Sequence, residues 1–162
     1  MCRLWKIWGR SATDGDFLDD VTSDPRQAAQ SLELRISQYE VGELDRLLAV
    51  SSIPDALTDV GERVDALSTP STHGEDFLEF LGALIIDPLL RAQVRNDGAQ
   101  SVCEDQFLSL SGSEKQLIED LLDDETASDA MDTVSEDGWF IACSLGLIDD
   151  PTYDHTQYTP QP

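Results

Sequence analysis

Nucleophiles, bases and metal ligands are scarce in this chain and stand apart. His73 and His155 are its two histidines, and Cys2, Cys103 and Cys143 its three cysteines. Both histidines lie in loop-like surroundings, where solvent-exposed turn residues are expected. With the histidines distant and no Cys–His grouping, a nucleophilic triad has little to work with. No G-x-G-x-x-G, phosphate-binding loop, H-E-x-x-H or G-x-S-x-G is present. Paired carboxylates occur at Asp19–Asp20, Asp123–Asp124 and Asp149–Asp150, but their abundance removes their diagnostic value. The stretch from Asp123 to Glu136 is rich in carboxylates yet lacks the turn glycine of a calcium loop. The expectation is a protein that is not an enzyme, with no catalytic residues, no metal ligands and no cofactor. Three cysteines without a C-x-x-C pair suggest a reducing compartment, so a cytoplasmic location is expected.

The charge balance narrows the partners. There are 33 acidic residues against 10 basic ones, a net charge of −23. Such a field repels nucleic acid and anionic membrane, because phosphate binding needs Lys and Arg to displace counterions. It favours a basic partner protein and speeds the encounter. Solubility or a high-salt habitat explains the acidity about as well, since Asp outnumbers Glu and Lys is nearly absent. Mimicry of a nucleic-acid backbone is a third reading. No apolar run approaches the roughly 20 residues of a membrane span. At the start, Arg3, Lys6 and Arg10 sit among Leu4, Trp5, Ile7 and Trp8, a stretch too short and interrupted for a signal peptide. It is expected to dock on the acidic body through its Trp side chains, a peripheral membrane or partner contact being the alternative.

The elements that must present any surface are helices. Apolar residues recur three and four apart in Leu44, Leu47 and Leu48, in Phe77, Phe80, Leu81 and Leu84, and in Leu117, Ile118, Leu121 and Leu122. Ser37 to Glu40, Thr72 to Glu75 and Ser111 to Glu114 have the form of capping boxes. Asp24–Pro25 and Asp87–Pro88 are a second kind of helix start, and Ile53–Pro54–Asp55 resembles them without the capping side chain. These starts recur in order. Phe17, Val21 and Asp24–Pro25 match Phe80, Leu84 and Asp87–Pro88; the Ser37 box with Leu44, Leu47 and Leu48 matches the Ser111 box with Ile118, Leu121 and Leu122. The second set carries a longer insertion. The expected fold is all-α, about eight short helices in two similar tandem units packed together. The segments are 1–13, basic and aromatic; 14–68, the first helical unit; 69–137, the second; and 138–162, an apolar stretch with a polar tail. Ser68 to Thr72 reads as the joint. The expected core is Phe17, Leu18, Val21, Leu44, Leu47, Leu48, Leu57, Val64, Phe77, Phe80, Leu84, Leu117, Ile118 and Leu121.

One segment stands apart from this pattern. Trp139, Phe140, Ile141, Ala142, Cys143, Ser144, Leu145, Gly146, Leu147 and Ile148 form an apolar run after an acidic stretch, and a tail ending in prolines follows. The run either completes the core as a last helix or strand, or is presented to another protein. The order Phe80, Leu84, Asp87–Pro88, then Ser111, Glu114 and Ile118, then a helix and an apolar tail, resembles the recognition domain of borosin precursor peptides over residues 75 to 150. That helical domain is similar to the small subunit of extradiol ring-cleavage dioxygenases. The resemblance implies a ribosomal peptide precursor that docks on a modifying methyltransferase and offers residues 138–148 for backbone N-methylation. The methyl donor would bind the partner. It does not account for the duplicated first half or for the insertion. Other readings are an acidic immunity protein or inhibitor of a basic toxin or nuclease, with aromatic anchors such as Tyr39 or Trp139, and a small helical accessory subunit of an enzyme.

Overall fold

The computed structural model describes residues 4–67 and 73–144, with side chains to residue 136. It contains α1 (Trp5–Thr13), α2 (Gly15–Ser23), α3 (Pro25–Ser31), α4 (Gln38–Leu48), α5 (Ser52–Leu67), α6 (Glu75–Ile86), α7 (Pro88–Asp97), α8 (Ala99–Asp105), α9 (Gly112–Asp123) and α10 (Glu125–Ser144). No strand occurs among the described residues, so the fold there is all-α. The described residues form ten helices where the sequence suggested about eight. One, α1, is formed by the basic and aromatic segment, and the short α8 lies in the insertion. The expected joint at 68–72 lies outside the described residues.

Helix starts follow the local grammar closely. The Ser37 hydroxyl accepts from Glu40 N at 3.1 Å while the Glu40 carboxylate accepts from Ser37 N at 2.5 Å. Ser111 and Glu114 repeat this at 3.1 and 2.9 Å. Each box satisfies two N–H groups that an isolated helix start would orphan. Asp24 and Asp87 cap α3 and α7 with Pro in the first turn. Thr72, which opens the expected box to Glu75, lies outside the described residues. Gly74 is the N-cap of α6 and Glu75 its first residue. The Glu75 carboxylate accepts from Lys6 Nζ at 3.0 Å.

The first helix is a core element. Trp5, Ile7, Trp8 and Ala12 are buried between α5 and α6. The approach is close enough to require glycine. A Cβ on Gly9 would overlap the carbonyl of Leu78, one on Gly82 that of Trp5, and one on Gly61 that of Ala12. Facing helices thus touch backbone to backbone at two crossings, and the tryptophans fill the flanks. Because Trp5 and Trp8 are inside, neither is available to a membrane or partner.

Every residue expected in the core is buried, within one contiguous apolar cluster. The middle of that cluster is α6, buried from Phe77 through Ile86 on all sides. It is enclosed by α1, α7 and α10. A helix surrounded in this way shows apolar residues all round rather than a single stripe.

Packing and bonding recur along the chain. α1 packs on α6, and α5 on α10; α1 packs on α5 as α6 does on α10; α4 reaches α10 as α9 reaches α5. Asp14 accepts from Asp16 N and Phe17 N, and Asp87 from Leu89 N and Leu90 N, the same pattern, whereas Asp24 accepts from Gln27 N alone. Asp87 thus caps its helix in the manner of Asp14, although in sequence Asp87–Pro88 resembles Asp24–Pro25. An apolar stripe before an Asp–Pro start is common to many short helices.

Candidate functional site

Buried charge is the first place to look for chemistry. Arg91 is 1% exposed, and its guanidinium closes the end of α6. Nη1 donates to Leu84 O at 2.6 Å and Ile85 O at 3.1 Å; Nη2 donates to Asp132 Oδ1 at 2.6 Å and Ser135 Oγ at 3.3 Å. Burial lowers its pKa, and Asp132 partly offsets this. These bonds satisfy two carbonyls left over at a helix end and tie them to α10. Burial pushes the Glu43 carboxyl up, and Arg46 at 3.3 Å works against that. Burial likewise raises Asp87, opposed by its own N-cap bonds and then by Arg91. Arg91 and Asp87 are accounted for by the helix ends they serve.

Open clefts indent the described surface. One, beside the α1–α2 joint, brings Arg10, Asp14, Asp16 and His73 together. Arg10 already pairs with Asp14 at 3.1 Å, and two carboxylates flank the site. His73 stacks on Phe77 with ring centroids 4.5 Å apart, so the expected exposed turn histidine is half-buried instead. A planar ring next to an apolar helix start gains by covering it. Cys103 is buried, and that burial pushes its thiol up, away from nucleophilic use. Among the described residues no group of His, Cys, Asp or Glu is arranged to hold a metal ion, and no helix is long and apolar enough to cross a membrane.

The exposed apolar residues are more informative. Tyr39 and Val50 are 40% exposed, Leu89 69%, and Phe107 95%. Phe107 stands at the turn after α8 with φ 57°, a left-handed conformation that bulky side chains avoid. The turn itself is firmly bonded. Phe107 N donates to Glu104 O at 3.2 Å, Leu108 N to Cys103 O at 3.0 Å, and Ser109 N to Asp76 Oδ2 at 2.8 Å. Leu110 then re-enters the core. The turn after α3 is built alike: Glu33 has φ 60°, Glu33 N donates to Gln30 O at 2.9 Å, and Leu34 N to Ala29 O at 2.9 Å. Each residue of the later turn follows its counterpart by 74 positions, and so does each residue of its capping box.

Of the residues singled out from sequence, Trp139 to Ser144 continue helix α10, while their side chains and all of Leu145 to Ile148 lie outside the described residues. Tyr39 is exposed, at the start of α4 beside Glu40. Sequence reasoning passed over Phe107. The available signal was an aromatic residue four positions before a capping-box serine, where a short helix ends and glycine is the usual choice. No family model matches this chain, and no curated protein or solved structure is detectably similar to it.

Proposed function

We propose that this chain is a non-catalytic helical binding protein, and most specifically a ribosomal peptide precursor. Its helical body docks on a modifying methyltransferase, and residues 138–148 are offered to that enzyme. The observation that carries the reading is where the motif residues fall. Phe80, Leu84 and Ile118 are buried, Asp87 caps α7, and Ser111 with Glu114 boxes the start of α9. These are the positions on which the likeness to a borosin recognition domain rests. We extend the reading to a duplication: α1 to α5 and α6 to α10 are two similar units facing each other about an approximate two-fold. Support comes from the recurrent helix pairings and from the matched turns at Glu33 and Phe107. This moves the first unit's start from residue 14 back to α1.

Helix α10 bears on how the segment would be used. Trp139 to Ser144 lie on its last turns. A backbone amide inside a helix is hydrogen-bonded and closed to a methyl donor, so those turns must unwind in the partner's cleft. Co-expression with the methyltransferase, followed by intact mass and fragment analysis, tests this. Mass added in steps of one methyl group within 138–148 is the expected result. An unmodified segment in the presence of an active enzyme would sink the precursor reading.

The acidic surface and the exposed Tyr39 favour one alternative, an inhibitor or immunity protein for a basic toxin or nuclease. That reading requires tight binding that weakens steeply with salt. Salt-independent association would count against it.

A further inference from the structure

We propose that Phe107 is the anchor by which the α8–α9 turn docks on its partner, a protein offering an apolar socket rimmed by basic side chains. The inference deepens the binding reading and rests on it. Phe107 is 95% exposed, the largest exposure of any large apolar side chain described. Nothing in the fold requires an aromatic there, since the matching turn holds Glu33 in the same backbone conformation. Folding alone would favour glycine at both positions, because φ near 60° strains any residue with a Cβ. Phe107 thus holds a large apolar ring in water, a cost that is recovered only when a partner covers the ring.

The turn suits docking in two further ways. Its backbone is held by α8 carbonyls and by Asp76, so little ordering remains to be done on binding. Its surroundings are acidic. Glu104 and Asp105 precede the ring, Asp76 grips the next residues, and Glu114 closes the following box, against one nearby cation, Lys115. An aromatic anchor ringed by carboxylates fits an apolar pocket with Lys and Arg at its rim. A second copy of this chain would bring the same carboxylates to the contact and is disfavoured.

The test uses the full chain carrying a photo-crosslinking phenylalanine analogue at position 107, expressed in its native cells. The protein cross-linked or co-purified is identified, produced pure, and titrated against wild type, Phe107→Ala, Phe107→Gly and Glu33→Ala. The expected result is a cross-link into an apolar pocket with a basic rim. Affinity should fall roughly thirtyfold or more for both Phe107 variants and stay unchanged for Glu33→Ala. Phe107→Gly should also be at least as heat-stable as wild type, which rules out misfolding as the cause. A partner that binds wild type and Phe107→Ala equally overturns the anchor and leaves the binding reading standing. A cross-link to a second copy overturns the proposed occupant. Retention of no protein by wild type overturns both the anchor and the binding reading.

Discussion

The turns after α3 and after α8 share one backbone and carry opposite chemistry. Both place a non-glycine residue at φ near 60°, and both close with a bond from the next residue back across five positions. Both then send a chain with buried Ile36 or Leu110 toward a capping box. One presents Glu33 to solvent and the other Phe107. The shared form teaches that this turn is set by its hydrogen bonds and by the apolar residues after it. The tip side chain is free to serve another end, and the two turns have used that freedom differently.

The strongest way to break the correspondence is at the helix crossing. Gly9→Val and Gly82→Val each drive a branched side chain into a carbonyl of the facing helix. Each should cost on the order of 3 kcal/mol or more, read from urea unfolding. A large loss at one glycine and tolerance at the other would show that the crossing is not balanced. The capping boxes come next. Ser37→Ala and Ser111→Ala should each cost about 1 kcal/mol, and the two values should agree within a few tenths. A marked inequality would mean that one half carries more of the stability.

At the tips the sign reverses. Glu33→Gly and Phe107→Gly should each raise stability by about 0.5–1 kcal/mol, because glycine adopts this conformation without a Cβ clash. Destabilisation by Phe107→Gly would reveal an intramolecular role for the ring. The smallest effect is in acid. Asp124 accepts from Ala127 N at 2.9 Å at the start of α10 and from Arg63 Nε at 3.0 Å, whereas the matching position near α5 is Val50. The Ala127 bond first, then Arg63, hold the Asp124 carboxyl below its usual pKa. A depressed carboxyl contributes stability that is complete above its unfolded value, about pH 4, and is lost as pH falls through the folded one. Melting temperature should therefore fall with acid less steeply in Asp124→Asn than in wild type. Identical slopes would remove Asp124 from the account.

Much of the fold was legible because it is local. Ser37 with Glu40 and Ser111 with Glu114 bond within one turn, so four residues suffice to read them. The stripe Leu44, Leu47 and Leu48 needs only helical geometry to reveal its buried face. Asp87 resembles Asp24 in sequence and Asp14 in bonding, because stripes and Asp–Pro pairs are frequent and only the accepted N–H groups distinguish them. The site was less legible still. A phenylalanine in a sequence is presumed buried, and that Phe107 is not depends on the direction of one turn.

The sequence by itself determined the acidic charge, the helical class, most helix starts and most of the core, since propensity, capping and period act over a few residues. Only the tertiary structure decided that α1 lies inside, that Gly9, Gly61 and Gly82 are contact points, that Arg91 closes α6, and that Phe107 faces solvent. Each of these depends on residues distant in the chain coming together, and on the burial of a side chain by neighbours its own segment does not supply.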